Sequence, residues 1–355
     1  MKSIEEVMDA WNAMQPLSER DREMLSRRFT IDFNYNSNHI EGNTLTYGQT
    51  EILLLFGKIV GEAEVRDIHE MTASNVGLKM MREEASLKQT PMTQHFIRTL
   101  HKTLLREDYT VYRNLPGGVQ TSYVIHAGQY KTRPNSVITR YGDRFEYASP
   151  EETPALMSDL VDWYNEAERE AVLSPVELAA LFHYRYIRIH PFEDGNGRIA
   201  RLMVNYILTR HDYPMIVVRS RRKKEYLEAL HLADLAVGSA PSLGAHASKR
   251  DIQPFLAYFT RLFVDEVSYD IEFLTQRGSD VWWFDGERVK FRTATTSVIL
   301  NRMREEPDCT IARLAEAAGI SVTAVNKQLR LLTDKGYIAR TEKDNSWRLI
   351  ITPSV

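Results

Sequence analysis

The chain has 355 residues, of which 43% are hydrophobic and 26% charged, with a net charge of −3. That length predicts two domains, or one large domain with an appendage, and the composition supplies enough apolar area for a globular core. The near-neutral charge excludes a strong pull of the whole molecule toward nucleic acid or anionic membrane, and the single cysteine, Cys309, excludes an internal disulfide and a cysteine-based zinc site.

Taken in chain order, the start (Met1-Lys2-Ser3-Ile4-Glu5-Glu6) is acidic where a secretory leader would be basic and then apolar. No apolar run approaches bilayer length, so a soluble, cytoplasmic protein without a membrane partner is expected. Apolar residues at three- and four-residue spacing predict helices over Ser18 to Asn36, Thr46 to Gly57, Glu62 to Lys88 and Thr93 to Leu105. Thr46 to Gln49, Ser149 to Glu152 and Ser174 to Glu177 fit the capping-box pattern, the last two with proline at the first helical position. Between Leu115 and Ala148 the pattern alternates, and a β-hairpin is expected with Val137 and Thr139 facing Phe145 and Tyr147 across Tyr141-Gly142-Asp143. Val237 to Lys249, rich in Gly, Ser, Ala and Pro, is expected to be a loop before a helix over Gln253 to Thr275.

The last stretch reads as a separate module. A helix over Ile311 to Ala318, a turn at Gly319-Ile320-Ser321, a second helix over Val322 to Lys335 and two short strands around Lys343-Asp344-Asn345-Ser346 follow the winged-helix order. From Phe291 onward there are ten Lys/Arg and seven Asp/Glu, so this part carries +3 and the remainder −6. The expected organisation is an N-terminal helical region over 1–110, a core over 111–280 and a winged-helix domain over 288–355.

The chemistry concentrates in His190-Pro191-Phe192-Glu193-Asp194-Gly195-Asn196-Gly197-Arg198-Ile199-Ala200-Arg201. The helix from Ser174 must end near Ile189, because a residue before proline is pushed out of helical geometry. A new helix runs from about Arg198 to Leu208, and the glycine-rich loop before it delivers free N–H groups and a positive dipole end to one spot, which is an anion site. Arg198 and Arg201 add two cations where the dipole disfavours them by roughly 0.3–1 kcal/mol each, an arrangement that a polyphosphate would compensate. Asp194 is an oxygen ligand of the kind Mg²⁺ takes together with substrate phosphates, and His190 has the ordinary titration range of a general base at neutral pH. Together these residues point to phosphoryl or nucleotidyl transfer.

The segment from His190 to Arg201 resembles the Fic family signature, His-Pro-Phe-x-Asp/Glu-Gly-Asn-Gly-Arg-x-x-Arg, with no departure, and the likeness extends over most of the first 270 residues, including Gly128-Gln129-Tyr130-Lys131-Thr132. The resemblance implies a mainly α fold: a Fic-fold helical core with a small β-hairpin flap. It implies transfer of AMP from ATP, with Mg²⁺, to a Ser, Thr or Tyr hydroxyl of a target protein, the chain itself included. His190 would deprotonate that hydroxyl and Asp194 would hold Mg²⁺. The Gly195 and Gly197 amides and the Asn196 side chain would cradle the phosphates, with Arg198 on the β-phosphate and Arg201 on the γ-phosphate. Tyr226 and Asp234 would line the adenine pocket. The flap, about Tyr130 to Tyr147 and including Val137 and Thr139, would bind target backbone as an added strand. Ser37-Asn38-His39-Ile40-Glu41-Gly42-Asn43 matches the family's inhibitory pattern, which implies that Glu41, one turn after Ser37, pairs with Arg201 in the space of the γ-phosphate.

Several alternatives stay open. Within the family, removal of AMP from the target or another nucleotide donor fits the same motif. A different class, a winged-helix transcription regulator whose helical domain senses nucleotide, needs the phosphate cradle but not His190. In the C-terminal module, Thr323, Asn326, Lys327 and Arg330 share one face of the second helix, with Arg340, Lys343 and Arg348 on the wing. They suit DNA, or a protein surface that is either a target or a second copy of the chain in a homodimer.

Overall fold

A computed structural model describes residues 2–114, 120–138, 144–276, 281–291, 293–340 and 347–353. In chain order the elements begin with α1 (Ile4–Asn12), α2 (Glu19–Ile40), α3 (Tyr47–Phe56), α4 (Val65–Ser86) and α5 (Gln94–Leu105). Two strand pairs follow, β1 (Tyr109–Asn114) with β2 (Gln120–Ile125) and β3 (Ser136–Ile138) with β4 (Arg144–Glu146). Then come α6 (Thr153–Glu170), α7 (Pro175–Ile189), α8 (Asn196–Arg210), α9 (Lys223–Val237), α10 (Pro241–Ala245) and α11 (Gln253–Thr275). The C-terminal part holds β5 (Trp282–Phe284), β6 (Glu287–Val289), α12 (Ala294–Glu305), α13 (Ile311–Ala318), α14 (Val322–Asp334), β7 (Ile338–Arg340), β8 (Trp347–Leu349) and β9 (Thr352–Pro353).

Local chemistry sets many of these boundaries. Thr46 and Gln49 cap α3 reciprocally, Ser174 and Glu177 do the same for α7, and Ser321 accepts from the Ala324 N–H at the start of α14. The Ser149–Glu152 box also forms, but regular helix begins only at Thr153, because the intervening residues make a turn. The expected loop at 237–249 contains a short helix instead, started by Pro241 at its first position. The strands pair β1 to β2 from Tyr109 opposite Ile125 to Asn114 opposite Gln120, and β3 to β4 with Val137 opposite Phe145.

The chain divides into two compact units, one of residues 1–35, 44–68 and 265–355, the other of residues 36–43 and 69–264. In the second unit, α7 and α8 form the centre. Phe182, Tyr186, Phe192, Ile199, Met203 and Tyr206 are buried there, each contributing roughly 1.5–3 kcal/mol by leaving water. In the first unit, α12, α13, α14, β7 and β8 close around Ile299, Leu300, Leu314, Val325, Leu329 and Trp347, which is winged-helix architecture. A second apolar cluster in that unit joins Ile31 and Tyr47 to Ile350, with Phe284 and Ala339 against it.

Candidate active site

Helix α7 ends at Ile189 and the next residue, His190, takes left-handed backbone angles (φ 51, ψ 61) while its N–H still reaches the Tyr186 carbonyl at 2.9 Å. For a residue with a β-carbon that conformation costs on the order of 1 kcal/mol and needs support. Support comes from the segment 131–135. The Lys131 ammonium donates to the carbonyls of Ile189 (3.1 Å) and His190 (2.9 Å), and the Lys131 N–H donates to the Pro191 carbonyl at 2.9 Å. The Asn135 amide then donates to the Phe192 carbonyl at 3.0 Å. A cation on the last carbonyls of α7 also complements that helix end.

The His190 ring is half-buried and stacks on Tyr147, with centroids 3.9 Å apart and planes 13° from parallel. Its Nδ1 is buried, which leaves Nε2 as the nitrogen open to a substrate. Burial, then the nearby Lys131 charge, push the imidazole down to about 3, against the opposing pull of the Ile187 carbonyl and Asp194. The ring is therefore neutral at physiological pH and able to accept a proton.

Asn196 closes the loop that follows. Its side chain accepts from the Phe192 N–H at 3.0 Å and donates to the Phe192 carbonyl at 2.7 Å, so both of its polar atoms are engaged within the loop. Gly195 turns through φ 77 directly ahead of α8, and the helix start leaves the N–H groups of Asn196, Gly197 and Arg198 without intrahelical acceptors. The Asp194 carboxylate accepts from the Gly195 N–H (2.7 Å), the Tyr109 hydroxyl (2.7 Å) and Arg198 (3.3 Å). Burial raises this carboxyl, but Arg198, Tyr109 and the Gly195 amide together outweigh it and hold it below the usual range. Its side chain is 35% exposed, so an ionised carboxylate stands at the head of the helix.

Arg201, one turn further on, is only 3% exposed and meets the Asn36–Asn43 segment. Its Nε donates to Ser37 Oγ at 3.0 Å, and its Nη2 donates to the Ser37 carbonyl at 2.8 Å and to Glu41 Oε1 at 2.7 Å. The Glu41 carboxylate lies directly over Gly197, where any β-carbon would collide with Oε1. Ser37, Glu41, Gly197 and Arg201 therefore meet at one place.

The remaining expected site residues are placed as follows. Tyr226 is buried, its hydroxyl 2.9 Å from His183 Nε2 and within the field of Arg201 and Glu41. Asp234 accepts from Tyr184 (2.9 Å) and from the buried Arg188 (3.3 Å). Tyr130 packs toward Phe192, with centroids 5.5 Å apart, and donates its hydroxyl to Gln94 at 2.8 Å, so it sits at the foot of the hairpin. Val137 lies in β3, and Thr139 falls outside the described residues.

Residues 91–208 match the Fic/DOC family, and residues 292–339 match a winged helix-turn-helix DNA-binding family. The chain is similar to a solved Fic domain containing signaling protein from Bacteroides thetaiotaomicron, at 50% identity over 76% of this chain and 96% of that one, with a TM-score of 0.71. It belongs to the Fic family. A Fic family protein from Desulfovibrio desulfuricans shares the fold over 97% of this chain and 93% of its own, with a TM-score of 0.57 at 22% identity. Among curated relatives, the protein adenylyltransferase fic-1 of Caenorhabditis elegans is 28% identical over 262 residues, which are 74% of this chain and 44% of the relative. This Fic chain spans less than half the length of the curated relatives it matches.

Several residues of the site carry no sequence signal of their own. His101, fully buried on α5, stacks on Phe192 (3.7 Å, 4°), takes the Gly128 N–H on Nδ1 at 2.9 Å and reaches the Asp194 carbonyl with Nε2 at 3.0 Å. Burial pushes it down to about 4, so it is neutral and Nε2 carries the donated proton. Tyr109, Asn135 and Tyr147 reach the site from strands or from their ends. Only the local Gly128-Gln129-Tyr130-Lys131-Thr132 motif hinted that this region bears on the site, without a role for its lysine.

Proposed function

We propose that this Fic protein transfers AMP from ATP to a hydroxyl of a target protein, and that Glu41 restrains the reaction. The observation that carries the reading is the placement of one neutral imidazole, His190, beside a helix start that gathers free N–H groups, an ionised Asp194 and two buried arginines. In-line attack by the hydroxyl oxygen on the α-phosphorus forms one P–O bond and breaks the bond to pyrophosphate. His190 Nε2 takes the hydroxyl proton as that bond forms. The negative charge of a bound triphosphate raises the basicity of the imidazole relative to the empty site.

The donor set suits Mg²⁺. Among the described residues no group of three or more His, Cys, Asp or Glu could enclose a metal, whereas Mg²⁺ commonly takes one carboxylate and completes its shell with phosphate oxygens and water. Asp194, ionised and partly exposed, would be that carboxylate. When bound, the ion would neutralise charge on the transferred phosphate. Arg198 and the N–H groups of α8 orient the phosphate chain, and Arg201 reaches it only after giving up Glu41.

The restraint follows from the same geometry. Glu41 places its carboxylate where the end of a triphosphate would meet Gly197 and Arg201, and a short Arg–carboxylate bond satisfies a cation otherwise stranded at a positive helix end. The test is incubation of wild type, Glu41→Gly and Glu41→Gly/His190→Ala with labelled ATP, followed by mass analysis of the modified chain. Glu41→Gly is expected to label at least about tenfold more than wild type, with the signal lost on adding His190→Ala. Equal labelling of wild type and Glu41→Gly removes the restraint, labelling independent of His190 removes the mechanism, and an added mass other than an adenylyl group changes the donor.

For the C-terminal domain, the reading is contact with duplex DNA. Thr323, Asn326, Lys327 and Arg330 are exposed along one face of α14, the position of a recognition helix. Salt-dependent retardation of random duplex by the full chain, reduced in Lys327→Ala/Arg330→Ala, tests it. Retardation unchanged in that double variant assigns the surface to something else.

A further inference from the structure

We propose that Lys131 and Asn135 are positioning residues for the general base, holding His190 through its backbone while the far end of the same hairpin holds its ring. The inference rests on the reading of His190 given above.

Four successive carbonyls, those of Ile189, His190, Pro191 and Phe192, all accept hydrogen bonds from the five-residue segment 131–135. These are the carbonyls where α7 has ended and its ladder no longer supplies donors. Lys131 is 3% exposed, and its ammonium spends its three N–H donors on Ile189, His190 and the Asn135 side chain (2.9 Å). A buried lysine satisfied only by carbonyls is costly to desolvate, and a core without function would be served as well by an apolar residue. Its bonds instead fix the one non-glycine residue of the loop that takes positive φ, which is His190.

The second foot of the hairpin completes the grip. The Tyr147 N–H reaches the Asn135 carbonyl at 3.5 Å, and the Tyr147 ring lies flat on the imidazole. The strap therefore determines both where the His190 backbone turns and which way its ring faces. The phosphate cradle is held by other means: Asn196 to Phe192, His101 to Asp194, and Tyr109 to Asp194. Loosening the strap should disturb the base and spare nucleotide binding. Misplacement of a reacting group by about 1 Å costs up to about 100-fold in rate.

The test uses the full chain in the Glu41→Gly background with labelled ATP, and in parallel the ¹³C-histidine spectrum, with the His190 resonance assigned by its loss in His190→Ala. Lys131→Met should lower kcat about 10- to 100-fold with KM for ATP changed less than about twofold. It should also shift or broaden the His190 resonance while that of buried His183 stays in place. Asn135→Ala should act in the same sense but more weakly, since the Phe192 carbonyl keeps its bond from Asn196 at 2.7 Å. Lys131→Arg, which keeps a multidentate cation, should recover part of kcat. If the Glu41→Gly parent does not label, the transfer reading fails, and the His190 resonance alone then decides the strap. An unmoved resonance and unchanged kcat in Lys131→Met overturn the proposal. A joint fall of kcat and ATP affinity with loss of the His183 resonance marks Lys131→Met as misfolded, and Asn135→Ala then decides: a His190 resonance left in place there overturns the proposal.

Discussion

The carboxylate of Glu41 occupies the space that a β-carbon at residue 197 would fill, so Gly197 gives Glu41 the room in which it bonds Arg201. Gly197 has ordinary helical angles, so alanine there would by itself gain up to about 1 kcal/mol of helix propensity. With Glu41 present, Gly197→Ala should instead destabilise the chain by on the order of 1–3 kcal/mol, through the displaced ion pair and crowding. In Glu41→Gly the same substitution should be neutral or stabilising. Thermal unfolding of the four chains of this cycle measures the coupling. Additive effects would mean the carboxylate does not occupy that space in solution.

His190 sits far below the ordinary histidine range, at about 3, because burial and Lys131 oppose its charge. Activity should therefore stay level as pH falls through 6.5, where an exposed histidine base would protonate. For Glu41→Gly, kcat/KM for ATP at a fixed concentration of target peptide, which reports the enzyme before ATP binds, is expected to hold to about pH 5, apart from the titration of ATP itself. A single inflection near 6.5, absent from the ATP control, would show an imidazole with ordinary solvation.

Asp194 is held in place by Tyr109 and the Gly195 amide, so Asp194→Asn should fold with little change in shape while losing the anionic ligand. Labelling is expected to drop by about 100-fold or more, with saturation by Mg²⁺ moved to higher concentration. Full activity with an unchanged Mg²⁺ titration would reassign the metal.

His101 is buried and neutral, with a folded value of about 4 against about 6.5 in an unfolded chain. Above pH 6.5 it contributes nothing to the pH dependence of stability. As pH falls from 6.5 toward 4, the unfolded chain takes the proton first and stability declines by roughly 1.4 kcal/mol per pH unit for this group alone. His101→Gln should be less stable at pH 7, through its lost bonds, yet lose less of its melting temperature between pH 7 and pH 5. An equal loss in both chains would place the acid sensitivity elsewhere.

What could be read in the sequence was chiefly local. Capping boxes, the proline after His190 and the glycines around Asn196 act on their near neighbours, and the bounds of α7 and α13 follow from such signals. The meeting of Glu41 with Arg201 spans 160 residues and was accessible only through resemblance to a known pattern. Tyr109 to Asp194 and His101 to Gly128 had no such pattern, because a tyrosine opening a strand or a histidine on an amphipathic helix looks like ordinary packing. The short helix at Pro241–Ala245 was hidden by loop-like composition, where proline at a helix start outweighed the glycine and serines around it.

Helix α2 stops at Ile40, so Glu41 occupies the tight turn just beyond it, its N–H bonded to the Asn38 carbonyl at 3.0 Å, and Lys223 donates to the Ile40 carbonyl at 2.6 Å. Because Glu41 stands beyond the last helical residue, moving its carboxylate off Arg201 leaves the hydrogen-bond ladder of α2 unbroken. The proposed restraint, seated on a helix terminus, opens at lower free-energy cost than one seated in a helix interior.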